Sequence, residues 1–180
     1  MKVVAIVGMA GAGKSEVARV FEEHCFKKVR FGDITDEELK NRGLKQNEEN
    51  ERYIRQQLRE KHGMAAYAKL NLSRIDSSLK SSDVVVDGLY SWEEYTLLKE
   101  YYGRQFTTVA VWAPAATRHK RLTTRAERPL TLEEAASRDR EEIENINKGG
   151  PIAMADFTIV NEDSLEKLER ETERVLSALK

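Results

Sequence analysis

The 180-residue chain has one cysteine, three prolines and three histidines. A lone thiol, Cys25, cannot close an internal disulfide. The fold must therefore stand on its own core, which a chain this long can build, and the composition fits a reducing compartment. Charge of one sign is also missing: 30 basic residues face 31 acidic ones, for a net charge of −1. That balance gives no electrostatic footprint for a nucleic acid and no basic stretch for a membrane surface. No apolar run approaches the roughly 20 residues of a spanning helix, and Val3 to Val7 is too short for a secretory leader. Little room is left for a disordered linker, and no internal repeat or low-complexity segment is present. His24, His62 and His119 have neither metal-ligand spacing nor a nucleophile to partner. Cys25 reads as a small, partly buried hydrophobe, and Trp92 and Trp112 read as packing residues. The expectation is a single cytoplasmic domain over residues 1–180, with no nucleic-acid or membrane partner and an oligomeric state that the sequence leaves open.

What is present is an alternation of strand and helix patterns. The β-branched run KVVAIVG at residues 2–8 reads as a strand buried on both faces of a parallel sheet. A helix follows from about Lys14 and buries Val17, Val20 and Phe21. KKVRF is a short second strand. Two helices come next, EENERYIRQQLREKH ending at Gly63, then MAAYAKLNLSRIDSSLK with Ala65, Ala68, Leu72, Ile75 and Leu79 on one face. DVVVDG is a third strand, WEEYTLLKEYY a helix, FTTVAVW a fourth strand, and ATRHKRLTTRAER a helix that Pro129 interrupts. Thr131 to Glu134 is a capping box opening a helix to about Asn147, which Gly149, Gly150 and Pro151 stop. FTIV is the last strand. A final helix buries Leu165, Leu168, Val175, Leu176 and Leu179. Such alternation implies an α/β fold with a parallel sheet and right-handed crossovers, and ligands beyond the carboxyl ends of the strands.

The strongest chemical signal lies after the first strand. Gly8-Met9-Ala10-Gly11-Ala12-Gly13-Lys14-Ser15 matches G-x-x-x-x-G-K-[ST] in full and sits between a strand and a helix. Its glycines let backbone N–H groups turn inward onto nucleotide phosphates at a helix N-terminus. Lys14 is placed to reach the β- and γ-phosphates of ATP, and the Ser15 hydroxyl to ligate Mg²⁺. The additional glycine, Gly11, is typical of small-molecule kinases without being exclusive to them.

Carboxylates at strand ends are the next candidates. Asp87 ends the third strand and reads as the Mg²⁺-associated acid that also borders the acceptor, or as a structural strand-end residue; the first reading is preferred. Asp33 follows the second strand and reads equally as a general base for an acceptor hydroxyl or as a helix cap. Asp83 opens its strand at the wrong end. Between the fourth and fifth strands lie Arg118, Arg121, Arg125, Arg128, Arg138 and Arg140. Arg121 and Arg125 are spaced as neighbours on one helix face and lack acidic partners there, so they are assigned to a closing lid that stabilises transferring charge. Arg138 and Arg140 are better explained by solvated pairs with Glu134, Glu142 and Glu144. Arg55 and Arg59 share a face near the expected acceptor pocket. Arg59 either binds acceptor or offsets the helix C-terminal dipole together with Lys61 and His62.

GMAGAGKSEVA, VVVDG, the R..R helix, LEEAASRDREE and MADFTIVNEDSLEKL follow one another in an order that resembles the dephospho-CoA kinases of the nucleoside monophosphate kinase-like P-loop group. The chain is still more similar to a dephospho-CoA-kinase-like or adenylate-kinase-like branch best known from archaea. The resemblance spans essentially the whole chain. It implies a three-layer α/β/α P-loop NTPase fold with a five-stranded parallel sheet in the order 2-3-1-4-5 and a helical lid within residues 115–147. It further implies an acceptor region within about 33–80, a match of Asp33 to the family's acidic residue after the second strand, and adenine beside residues near Asn161. The implied activity is ATP- and Mg²⁺-dependent phosphoryl transfer to a small nucleotide-like acceptor, with dephospho-CoA favoured and a nucleoside monophosphate as the alternative. An ATP-binding regulator without transfer is the reading from another class. Two departures bear on the acceptor. Tyr90 stands in Asp87-Gly88-Leu89-Tyr90-Ser91 where the branch tends to carry arginine, and FGDITDEE only approximates the aspartate-rich sequence of dephospho-CoA kinases.

Overall fold

The computed structural model describes residues 1–179. Five strands, β1 (Val3–Val7), β2 (Lys27–Arg30), β3 (Val84–Asp87), β4 (Phe106–Trp112) and β5 (Phe157–Val160), form one all-parallel sheet in the order β2-β3-β1-β4-β5. Their sequences explain their places. β1 and β3 are apolar or buried at every position and lie inside the sheet, whereas β2 and β5 each bury only one residue fully and form its edges. The order is the one the family resemblance implied.

Side chains alternate across the strands, so the sheet splits the core in two. Val4, Ile6, Val85, Val109, Val111 and Ile159 face α1 (Lys14–Glu23) and α9 (Leu165–Ala178). Val3, Ala5, Val7, Val29, Val84 and Val86 face the opposite layer. That layer is built from α2 (Asp33–Asn41), α3 (Glu48–His62), α4 (Ala66–Leu79) and α5 (Trp92–Tyr102). Above the carboxyl edge stand α6 (Ala115–Thr124) and α7 (Leu132–Glu144), and the short α8 (Gly149–Ala153) packs beside α5 and β4. A separate small cluster of Ala10, Leu122, Leu130 and Ala135 ties α6 and α7 to the loop after β1.

The structure differs from the expected elements in four places. Residues 33–41 form α2, although only Ile34 and Leu39 supply it with buried apolar side chains. Gly149-Gly150-Pro151 opens α8 instead of merely stopping its predecessor, because proline in a first turn needs no N–H partner. The Thr131–Glu134 capping box opens α7 as expected, but the helix ends at Glu144, not at Asn147. α6 ends at Thr124, with Arg125 already extended and Arg128 in the left-handed region at φ 51°. Cys25 and Leu165 are exposed, and Trp92 and Trp112 are only partly covered. Among the described residues no helix is long and apolar enough to cross a membrane.

Candidate functional site

The loop from β1 to α1 closes around its glycines. Gly8 has φ 152°, and a Cβ there would stand 2.3 Å from the Val111 carbonyl oxygen; Gly13 caps α1 at φ 104°, where a Cβ would stand 2.2 Å from Asn161 Nδ2. Neither place admits a side chain. Asn161, at the end of β5, donates from Nδ2 to the Ala12 carbonyl at 2.8 Å, so β5 buttresses the cradle. The Lys14 Nζ bends back to donate to the Met9 carbonyl at 3.0 Å. Burial, reinforced by Lys148 and opposed by Glu142 and Asp87, lowers Lys14 to about 7.

Asp87 lies beside Ile6 in the strand register, next to the cradle, and burial raises its carboxyl against the pull of Lys14 and Arg30. Arg121 reaches from α6 to the Asn161 carbonyl at 3.1 Å, leaving its Nη1 buried without a hydrogen-bond partner. Lys14, Ser15, Asp87 and Arg121 line one cleft of about 440 Å³. Among the described residues there is no group of three or more His, Cys, Asp or Glu side chains able to hold a metal. The unpaired guanidinium nitrogen of Arg121, the Lys14 side chain and the desolvated Asp87 carboxylate are the features that suit a polyphosphate with a divalent ion sharing phosphate and water ligands.

The other end of the cleft is walled by a chain of ion pairs that runs from β2 to α8. Arg30 donates to Asp33 and Asp36, each at 2.7 Å. Arg128 lies 3.4 Å from Asp36 and 3.1 Å from Glu51. Arg55 pairs with Glu51 at 3.3 Å and Glu48 at 2.6 Å. Arg138 pairs with Glu48 at 3.2 Å and Glu142 at 3.3 Å, and Lys148 closes the chain on Glu142 at 2.9 Å. Burial works to raise Glu142, but Lys148, Arg138 and Lys14 outweigh it and hold the carboxyl at about 2. Arg125 stands within this wall with no carboxylate partner among the described residues and donates through Nε to the Arg128 carbonyl.

The sequence candidates are thus partly regrouped. Ala10, Gly11, Gly13, Lys14 and Ser15 of the cradle meet Asp87, Arg121, Arg125 and Arg55 in the cleft, whereas Gly8, Met9, Ala12 and Asn161 do not line it. Asp33 does not line it: its carboxylate sits half-exposed at the start of α2 and faces Arg30, while Asp36, one turn on, lines the cleft instead. Arg59 is also displaced. It lies behind the wall in a cavity of about 20 Å³, over the Tyr67 ring at 5.5 Å and in the field of Glu94. Arg121 and Arg125 are not paired on one helix face, because α6 stops between them. Arg138 is no solvated-face residue: it pairs with Glu142 at the expected spacing but inside the cleft wall. The sequence reading missed Asp36, Glu51 and Lys148, and took Glu142 only as a solvated partner of Arg138. The i, i+4 spacings of Glu51 with Arg55 and of Arg138 with Glu142 were local traces of the wall.

A family model described as an AAA domain matches residues 4–148. A UPF0200 protein of Thermococcus kodakarensis is 36% identical over 181 residues, covering 98% of this chain and 97% of its own. Among solved structures, TT1252 from Thermus thermophilus superposes with a TM-score of 0.66 at 23% identity, over 99% of this chain and 98% of that one. A shikimate kinase from Bacteroides thetaiotaomicron superposes with a TM-score of 0.63 at 14% identity, over 99% and 98% respectively. The fold is that of the P-loop kinases, and by identity and coverage the chain belongs to the UPF0200 family.

Proposed function

We propose that the protein is an ATP-dependent phosphotransferase acting on a small polar acceptor. The observation that carries this reading is that one cleft holds a phosphate cradle at one end and an arginine–carboxylate wall at the other. A switch or simple hydrolase needs the first and has no use for the second. Bound ATP with Mg²⁺ supplies the γ-phosphoryl group. The cradle N–H groups from Gly8 to Ser15 and Lys14 hold its phosphates, and Ser15 with Asp87 face the metal. Arg121 and Arg125 stabilise the charge that spreads over the transferring oxygens. Asp36, held ionised by Arg30 against the effect of burial, accepts a hydrogen bond from the acceptor hydroxyl and takes its proton as the new O–P bond forms and the bond from the γ-phosphorus to the bridging oxygen breaks, leaving ADP. The floor of the acceptor site is α2 to α4, within residues 33–80, and residues 115–147 close over it.

A hydroxyl-bearing, anionic small molecule fits a wall that offers both carboxylates and the unpaired Arg125. The shikimate kinase likeness favours the same class of acceptor. Dephospho-CoA, implied by the sequence resemblance, has no support among the relatives and neighbours above and enters only as one candidate. The test is ADP formation from ATP and Mg²⁺ across a panel of sugar acids, hydroxy acids, nucleoside monophosphates and dephospho-CoA. Acceleration by one acceptor, with phosphate recovered on it, is expected. Slow hydrolysis that no acceptor accelerates would overturn the reading in favour of a regulatory ATP-binding protein.

A further inference from the structure

We propose that Lys148 is a second phosphate-binding lysine, so that the transferring phosphoryl group is gripped between Lys14 and Lys148. This rests on the phosphotransferase reading and extends it to a residue outside the P-loop. Lys148 is 1% exposed, yet it lines the same cleft as Lys14, Asp87 and Tyr90. A lysine ammonium carries three donors. One goes to Glu142 Oε2 at 2.9 Å, and Nζ sits 5.1 Å from the centre of the Tyr90 ring, which gives it an electrostatic seat but no lone pair.

The carboxylate that anchors Lys148 is itself divided. Glu142 gives Oε2 to Lys148 and Oε1 to Arg138 at 3.3 Å. Lys14 adds a further ammonium to this end of the cleft, with a single hydrogen bond to a backbone carbonyl. Two desolvated ammoniums with spare donors, facing one cleft, create a place for an anion. A structural lysine would instead be expected to spend its donors on protein acceptors. The position of Lys148 at the mouth of α8, after the left-handed Asn147, aims the side chain inward.

The test compares the affinity of ADP with that of the non-transferring β,γ-imido analogue of ATP, by calorimetry with Mg²⁺, in the full chain. A Lys148→Met substitution strands Glu142 with one cation and could unfold the protein. Lys148→Met/Glu142→Gln removes both charges, and Lys148→Arg keeps the positive one. Lys14 binds both nucleotides, so the analogue-to-ADP affinity ratio isolates the outer phosphate. The double variant is expected to lower that ratio by about ten- to a hundredfold, the range of one charge-assisted hydrogen bond, and Lys148→Arg to preserve most of it. An unchanged ratio in a folded double variant would overturn the assignment and leave Lys148 as a partner of Glu142 alone. A wild-type chain that binds neither nucleotide would overturn the phosphotransferase reading and this inference with it.

Discussion

Arg118 and Asp139 are joined by two parallel hydrogen bonds of 2.8 and 2.7 Å, from Nη1 and Nη2 to the two carboxylate oxygens. The same guanidinium donates to the carbonyls of Ala10 at 3.0 Å and Ala113 at 3.1 Å. One buried side chain therefore fixes the phosphate cradle, the end of β4 and helix α7 relative to one another. His119 adds a third contact to Asp139 at 2.8 Å. Removing one partner of a buried, bidentate pair leaves a desolvated charge, which costs more than the pair itself contributed. Arg118→Met should lower stability by about 2–4 kcal/mol in urea denaturation, and Arg118→Lys should restore only part of it, because an ammonium cannot reproduce the fork. Full recovery with lysine would mean that charge alone, not the three-way tie, holds α7 in place.

The two aspartates of α2 should behave differently although they lie three residues apart. Asp33 is half-exposed and shares Arg30, whereas Asp36 lines the cleft and also meets Arg128. Asp36→Asn should reduce acceptor-dependent ADP formation at least tenfold, in line with the usual 10²–10⁴ contribution of a positioned acid or base. Asp33→Asn should change it less than about threefold, given the small worth of half-exposed ion pairs. The measurement is kcat and KM with the best acceptor of the panel. The reverse ranking would return the role to Asp33.

Glu94, buried behind the cleft, sets a pH dependence of stability. It closes the capping box of α5, accepting from the backbone N–H of Tyr90 at 2.9 Å and of Ser91 at 3.2 Å. Burial pushes its carboxyl up to about 7 despite the opposing field of Arg59. The unfolded chain gives up this proton near 4.5, while the folded one keeps it to about 7. The unfolded state thus binds fewer protons between those values, and stability falls as pH rises through them, by up to roughly 3 kcal/mol for this group. Glu94→Gln retains an oxygen for the capping box and removes the titration. Denaturation midpoints from pH 5 to 8 should decline less in Glu94→Gln than in the wild type. Parallel profiles would assign the slope to another group.

Much of this was written in local sequence. The buried runs of β1 and β3, the glycine spacing of residues 8–15 and the Thr131 capping box each follow from short-range rules, and the structure places each where those rules put it. What escaped was long-range. Residues 33–41 are almost all polar, and α2 forms because Ile34 and Leu39 reach the core under α3 and α4, a context that periodicity over nine residues does not reveal. Lys148 precedes two glycines and a proline and so reads as a loop lysine. Its burial depends on Glu142 and Tyr90, which a different helix and a different loop bring to it. Arg125 and Asp36 enter the cleft for a similar reason: in one case α6 ends at Thr124, just before Arg125, and in the other an unforeseen helix turns its second acidic residue inward.

Asn161 links nucleotide binding to the far edge of the sheet. Its Nδ2 donates to the Ala12 carbonyl at 2.8 Å, and its backbone oxygen accepts from Arg121 at 3.1 Å, with Oδ1 at 3.4 Å from the same nitrogen. The residue is buried, so Asn161→Ala leaves the Ala12 carbonyl without its partner at a cost of about 1–3 kcal/mol. Part of that cost falls on the bound state, because the cradle loses the contact that sets its curvature, while Arg121 retains the backbone acceptor and stays near its place. ATP affinity should therefore drop by roughly three- to tenfold, equivalent to about 0.7–1.4 kcal/mol. In the doubly substituted Asn161→Ala/Arg121→Ala protein the losses should add nearly independently, since the main Arg121 contact is to backbone. Strong non-additivity in that cycle would show that the side chain of Asn161, not its carbonyl, positions Arg121.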